Sequence, residues 1–495
     1  TRRLCLPLAL ALLIPPGARA IDDLGLRVPP GFRVTRYADQ DLANDIYAMT
    51  LDADGNVVAT SQGWVKRLLD TKGSGKADKA EVIALTATGG MGMCFDGGDL
   101  YFCGDGWFSC YRAGKEKGTL QPKPERFIPL AFAEHGGHAM RKGPDGWWYV
   151  IGGNDSGIDQ RHVTRPGSPV KKPQAGAILR LPPDCKSCEV IAHGFRNPYD
   201  FDFNADGEII TYDSDVEADY FLPWYSPTRL YHVAYGGHHG WRLNGYLRSW
   251  ARPDYYLDTV DILYPIGRGS PTGVVCYRHD QFPEHYRGGV FACDWTFGKV
   301  YFCPLEPKGA TYTTKPEVFL EAVGANGFDP TDIVVAPDGS LFISMGGRKT
   351  RGSVFRVEYM GTDREPVKRG TTPRTDLDRV LWAPQPLDAW SRARWEPLAR
   401  RLGAKPFLDV VLDAGRDEAD RVRAVEVLTE LFDGLPAGTA EKAAQCLSPL
   451  VRARVAWSLG RKFRRGDEPA LADLAADEAP AVRVNALDAL ADHIG

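Results

Sequence analysis

Val335-Ala336-Pro337-Asp338-Gly339-Ser340-Leu341-Phe342-Ile343 is the stretch that decides the fold. Apolar residues flank an Asp-Gly pair, and both members of that pair tolerate the left-handed backbone of a tight turn, so the stretch reads as strand, turn, strand. The phrase recurs around Asp54-Gly55, Asp145-Gly146 and Asp206-Gly207, with weaker copies at Asp96-Gly97-Gly98-Asp99 and Gly288-Gly289. Six hairpins spaced at blade-like intervals between Ile21 and Tyr359 imply radial repetition of small sheets, hence an all-β six-bladed propeller over residues 21–359. A parallel β-helix or a sandwich accounts less well for the long insertions between hairpins. The 53 Gly and 36 Pro fit many short strands joined by tight turns.

Outside this region the chain changes character. Arg2 and Arg3 precede the apolar run 4–14 and then Ala18-Arg19-Ala20, the pattern of a secretory signal over residues 1–20, which predicts a periplasmic or secreted protein. Residues 360–394 form a connector rich in Pro, Arg and Asp. From 395 to 495 Ala, Leu and Arg recur with helical spacing. Residues 422–428, 451–459 and 482–490 align with one another about every thirty positions, which predicts an α-helical HEAT-like repeat domain, separable from the propeller and offering a surface to a protein partner.

The net charge of -4 shows no basic stripe, so electrostatics give no reason to expect nucleic acid, and a neutral or weakly charged small molecule fits better. Cys185 and Cys188 lack further ligands nearby to complete a zinc site and are not followed by His, so they are not a covalent haem c attachment; a local disulfide is expected.

Polar groups are densest at residues 134–146 and 152–155. A His placed just before an inner strand, such as His135, faces the mouth of a propeller and can serve as a general base. Asp213, Asp215, Glu217 and Asp219 alternate with smaller residues; if extended they share one side and invite a cation, calcium above all. Trp224, Tyr225, Trp241, Tyr246, Trp250, Tyr255 and Tyr256 crowd the following loops and offer flat faces to sugar rings or to a core.

His135 with Gly143-Pro144-Asp145-Gly146, then Gly194-Phe195-Arg196-Asn197-Pro198, Gly236-Gly237 with Gly240-Trp241, and Gly269-Ser270-Pro271-Thr272-Gly273 with residues 282–291 resemble, in order, the motifs of quinoprotein glucose and sorbosone dehydrogenases. The resemblance spans about residues 30 to 359. It implies an oxidoreductase using pyrroloquinoline quinone (PQQ) with calcium nearby, acting on a sugar or alcohol. His135 is then the base, with Arg196 and Asn197 on the quinone and Arg348 and Arg351 among further cofactor contacts. An external cytochrome is the implied electron acceptor. Tyr199-Asp200 stand where those enzymes continue with Gln-Gly. The domain order is similar to that of membrane-bound-dehydrogenase-type proteins carrying HEAT-like repeats. The competing expectation is a non-catalytic propeller that binds glycans or a protein; a calcium-dependent lactone hydrolase lacks a clear set of axial carboxylates.

Overall fold

The computed structural model describes residues 20–21, 24–223, 225–241, 258–362 and 373–494. Short strands β1 (Ala20–Ile21), β2 (Leu26–Val28) and β3 (Phe32–Ala38) lead into six antiparallel blades. The first blade is β4 (Ala48–Leu51), β5 (Val57–Ser61), β6 (Trp64–Leu69) and β7 (Lys79–Ala84), and the second is β8 (Gly90–Asp96), β9 (Asp99–Gly104), β10 (Trp107–Tyr111) and β11 (Glu125–Pro129). The third is β12 (Gly137–Lys142), β13 (Trp148–Gly152), β14 (Gly176–Leu181) and β15 (Glu189–Phe195), and the fourth is β16 (Phe201–Phe203), β17 (Ile209–Asp213), β18 (Thr228–His232) and β19 (Tyr264–Gly267). The fifth holds β20 (Pro271–Cys276), β21 (Val290–Asp294) and β22 (Lys299–Cys303); a small hairpin of β23 (Glu306–Lys308) and β24 (Thr311–Thr313) intervenes before its outer strand β25 (Glu317–Ala322), onto which β2 and β1 add. The sixth is β26 (Pro330–Val335), β27 (Leu341–Met345) and β28 (Ser353–Tyr359), completed by β3. Phe32 pairs with Tyr359 and Val34 with Val357, so the N-terminal strand closes the ring.

The recurrent phrase is in every case the turn between the first and second strands of a blade. Gly55, Gly97, Gly146, Gly207, Gly288 and Gly339 all have positive φ, between 60° and 88°, which a side chain would oppose. Neighbouring polar residues tie the turns: Asp52 Oδ1 accepts from the backbone of Asp54 and Asn56, and Asn204 Oδ1 from Asp206 and Glu208. Strand periodicity then builds the core. Val274 and Cys276 of β20 pack toward the fourth blade and Val275 toward the sixth, so one strand serves two interfaces. Six apolar clusters fill the six gaps between blades.

Eight helices follow among the described residues: α1 (Asp376–Leu381), α2 (Ala389–Leu402), α3 (Ala404–Leu412), α4 (Glu418–Leu431), α5 (Ala437–Ala444), α6 (Pro449–Arg461), α7 (Glu468–Ala475) and α8 (Pro480–Ile494). The three aligned segments lie on α4, α6 and α8, which pack in series, with α3, α5 and α7 each beside the helix that follows it. The segment read as a connector thus carries α1 and the start of α2.

The helices cover the propeller face that carries the Asp-Gly turns. Trp390 of α2 is fully buried in the cluster between the sixth and first blades, where its Nε1 donates to Val335 O. Arg278 N donates to Gln385 Oε1, and Asp492 of α8 meets Arg180 and Tyr235. These contacts run against the expectation of a separable tail. Cys185 and Cys188 are free thiols, as are the other seven described cysteines, so the expected loop disulfide is not formed; Cys185 Sγ lies instead 3.9 Å from Pro183 O.

Candidate active site

With one face covered by helices, the opposite face holds the loops that enter each blade and those joining second to third strands. His135, Arg196, Asn197, Arg348 and Arg351 all lie there, so the structure gathers the residues the sequence singled out. Gly153 lets three of these loops meet, since a Cβ on it would lie 2.5 Å from Asn197 Oδ1 and 2.7 Å from His135 O. Backbone bonds fasten them: Asn154 N donates to Arg196 O and Asp155 N to His135 O.

His135 Nδ1 lies 2.7 Å from Asn154 Oδ1. Because Asn154 Nδ2 donates to Asp155 Oδ1 at 3.0 Å, the amide oxygen is the atom that faces the imidazole. An amide oxygen only accepts, so Nδ1 carries the proton and Nε2 is left with its lone pair. Nε2 makes no hydrogen bond among the described residues, and the side chain is 16 % exposed. Asp155 Oδ2 stands 3.9 Å from Nδ1. His138 is the contrast: β12 begins at Gly137 and turns His138 into the interior, where neither ring nitrogen makes a well-formed hydrogen bond among the described residues. Burial, with His135 adjoining, pushes its pKa down to about 3, against the pull of the Glu134 and Pro198 carbonyls.

Arg196 is nearly buried. It donates to Ser214 Oγ at 2.9 Å and pairs with Glu217 at 2.9 Å, and its guanidinium lies over the Trp241 ring. Four buried polar atoms of these residues have no partner among the described residues: Arg196 Nε, Asn197 Oδ1, Asp215 Oδ1 and Trp241 Nε1. Orphans of this kind are rare in a finished interior and mark either ordered water or a ligand.

The four carboxylates do not form the expected cation cage. The strand β17 ends at Asp213 and residues 217–219 form a tight helical turn, so the extended alternation that would align them is absent. Asp213 accepts from the backbone of Arg196, Asn197 and Ser214; Asp215 takes the Tyr225 hydroxyl at 2.5 Å; Glu217 is held by Arg196; Asp219 is buried. Among the described residues no cluster of His, Cys, Asp or Glu could hold a metal. Of the aromatic loop, Tyr225 and Trp241 are placed; Trp224, Tyr246, Trp250, Tyr255 and Tyr256 lie outside the described residues, as does the leader 1–19.

The rim closes through contacts that sequence reasoning missed. Arg348 pairs with Glu134 and lies over Trp295, 5.4 Å from its centroid. On the same turn as Trp295, Phe297 lies 5.9 Å from Arg268, which stacks on Tyr220 at 4.4 Å; Asn197 Nδ2 reaches Glu134 O. Arg351 is exposed. Cation over aromatic ring is the shared device, but its members come from different blades and have no common spacing in sequence.

Below the mouth the axis is plugged. Arg141 pairs with Asp200 at 2.8 Å, lies 3.7 Å from Asp202 and donates to Val274 O, leaving cavities of only ≈ 10 Å³ and ≈ 30 Å³. Tyr199 donates to Tyr47 O in the same layer. The Tyr199-Asp200 departure from the dehydrogenase motif therefore serves the axial plug. The roomier cavities, ≈ 650 Å³ beside residues 127–131 and 185–188 and ≈ 500 Å³ beside His193 and residues 236–238, lack this convergence of orphaned donors and acceptors.

No curated protein matches the chain. Among solved structures, the calcium form of a Trichoderma reesei protein of Carbohydrate-Active Enzymes Family AA12 is similar at 14% identity and TM-score 0.51, covering 68% of this chain and 97% of that one. The holo PQQ domain of pyranose dehydrogenase from Coprinopsis cinerea is similar at 13% identity and TM-score 0.50, covering 67% and 97%. At such identity the likeness is one of fold. A sequence family described as "Domain of unknown function (DUF7133)" matches residues 22–344, nearly the whole propeller, and the chain belongs to that family.

Proposed function

We propose that the open face binds a quinone of the PQQ class and oxidises a hydroxyl-bearing carbon of a sugar or alcohol, with His135 as the base. The observation that carries this reading is the state of His135: its proton is fixed on Nδ1 by Asn154, and Nε2 is free to take one from a substrate hydroxyl.

The residues fit the cofactor in kind. Arg196 Nε and Asn197 Oδ1 are buried and have no partner among the described residues, and Arg348, Lys349 and Arg351 give the rim cations suited to carboxylates. A bound quinone supplies the two-electron acceptor. The chain itself orients the substrate, holds the proton at Nε2 and keeps Arg196 charged and fixed. Calcium has no comparable support, because the carboxylates expected to bind it are committed to backbone amides, Tyr225 and Arg196. The reading carries with it export to the periplasm or beyond and an external acceptor such as a cytochrome.

The test is to mix purified protein with PQQ, with and without calcium, and follow dye reduction across a panel of sugars and alcohols. Saturable quinone absorbance and turnover with at least one substrate are expected; protein that binds no quinone would overturn the reading. The Arg196–Glu217 pair favours the second reading, a propeller that binds glycans or a protein without chemistry, because that guanidinium is already neutralised.

A further inference from the structure

Between the fourth and fifth blades the rim carries an aromatic step with an unused charge. Phe221 is 89 % exposed yet sits at φ +73°, a left-handed conformation that a bulky side chain adopts only under strain. Burial does not hold it there. Its ring packs on Tyr220, 4.1 Å between centroids, and Tyr220 is braced edge-on by Tyr225, whose hydroxyl is fixed by Asp215 and Gly267 O. Phe297, 43 % exposed, stands on the next blade. Arg268 lies between them, 4.4 Å over Tyr220 and 5.9 Å from Phe297. Arg196 and Arg348 each have a carboxylate partner on this rim, whereas Arg268 is exposed and has none among the described residues. Its planar fork is held by ring faces and keeps its donors for an anion.

We propose that Phe221 and Arg268 form a subsite for a negatively charged sugar residue, the ring lying on Phe221 and a carboxylate or sulfate group on the Arg268 fork. An apolar face beside a fixed cation matches a pyranose with one C–H face and one anionic substituent, and a neutral sugar leaves the guanidinium unused. The subsite deepens the reading above by naming the sugar class, but its test needs neither quinone nor turnover.

Full-length protein is titrated calorimetrically with an oligogalacturonate, a sulfated galactose oligomer and a neutral galactose oligomer of equal length. At least one charged oligomer should bind about 10-fold or more tightly than the neutral one at low salt, and which of them does so identifies the anion as carboxylate or sulfate. Arg268→Gln should abolish the preference while leaving weak neutral binding; Phe221→Gly, whose glycine suits the backbone conformation, should melt no lower than wild type and weaken all three. Binding is read without quinone, so failed turnover with intact binding rejects only the oxidoreductase reading. Equal affinity for charged and neutral oligomers, a preference that survives Arg268→Gln, or no binding of any oligomer would overturn the subsite.

Discussion

Two histidines three positions apart have opposite surroundings, and the difference turns on which side of the first residue of β12 each lies. Among the described residues, His135 keeps one nitrogen without a hydrogen bond in the mouth, whereas His138 is enclosed. His135→Ala should lower turnover about 100-fold or more and leave quinone affinity unchanged, because the lost interaction belongs to the transition state. Asn154→Ala should cost turnover as well, by freeing the imidazole to change tautomer. His138→Ala is expected to act on stability, and comparing thermal midpoints with turnover per folded molecule separates the two. Glu217→Gln releases the Arg196 guanidinium and should tighten quinone binding if the cofactor competes for it; unchanged affinity would place the cofactor elsewhere. The motifs pointed to His135 and Arg196 as candidates, and the structure places both on the open face. Asn154 beside His135, Glu217 beside Arg196 and Glu134 beside Arg348 were illegible, since partnership here depends on loops meeting rather than on spacing.

At the scale of elements, six Asp-Gly or Gly-Gly turns could be read because each encodes its backbone conformation in two residues. The β17–β18 connection could not, because alternation of Asp and Glu mimics a strand while the chain in fact turns at residues 217–219. The start of α2 was equally hidden. There Asp388 points toward the axial plug, part of its surface facing the ≈ 30 Å³ cavity it shares with Arg141 and Asp202. Burial, then the nearby Asp202 charge, raises its pKa to about 7, and burial with Asp200 raises Asp332 to about 7. A carboxyl whose folded pKa is raised binds protons more tightly folded than unfolded. Its contribution is therefore complete below the unfolded value near 4 and is lost as pH climbs through about 7. Asp388→Asn should raise stability more at pH 8 than at pH 5, the two gains differing by on the order of 2 kcal/mol or more. Denaturant midpoints at the two pH values measure this, and an equal shift at both would show that titration of Asp388 is not the cause.

For the whole molecule, the helical tail acts as a floor. A chain truncated after Met360 would uncover the place of Trp390 in the cluster between the sixth and first blades and leave Arg180 without Asp492. Its thermal midpoint should fall by roughly 10 °C or more, with dye-binding apolar surface exposed; an unchanged midpoint would restore the separable tail that helical periodicity implied. Periodicity shows which face of a helix is apolar, not which neighbour covers it, and for that reason the docking was invisible in sequence. The closure of the ring by β3 has a further consequence, in time. Arg33 meets Glu358 across 325 positions, so a strand made early is among the last to find its partner. While a ribosome or an export channel is still delivering the middle blades, the open edge of the last blade does not yet exist. The propeller can therefore begin at any internal blade but finishes only after Tyr359 has emerged, and a chain stalled before that point presents a waiting β3 to whatever chaperone or protease reaches it first.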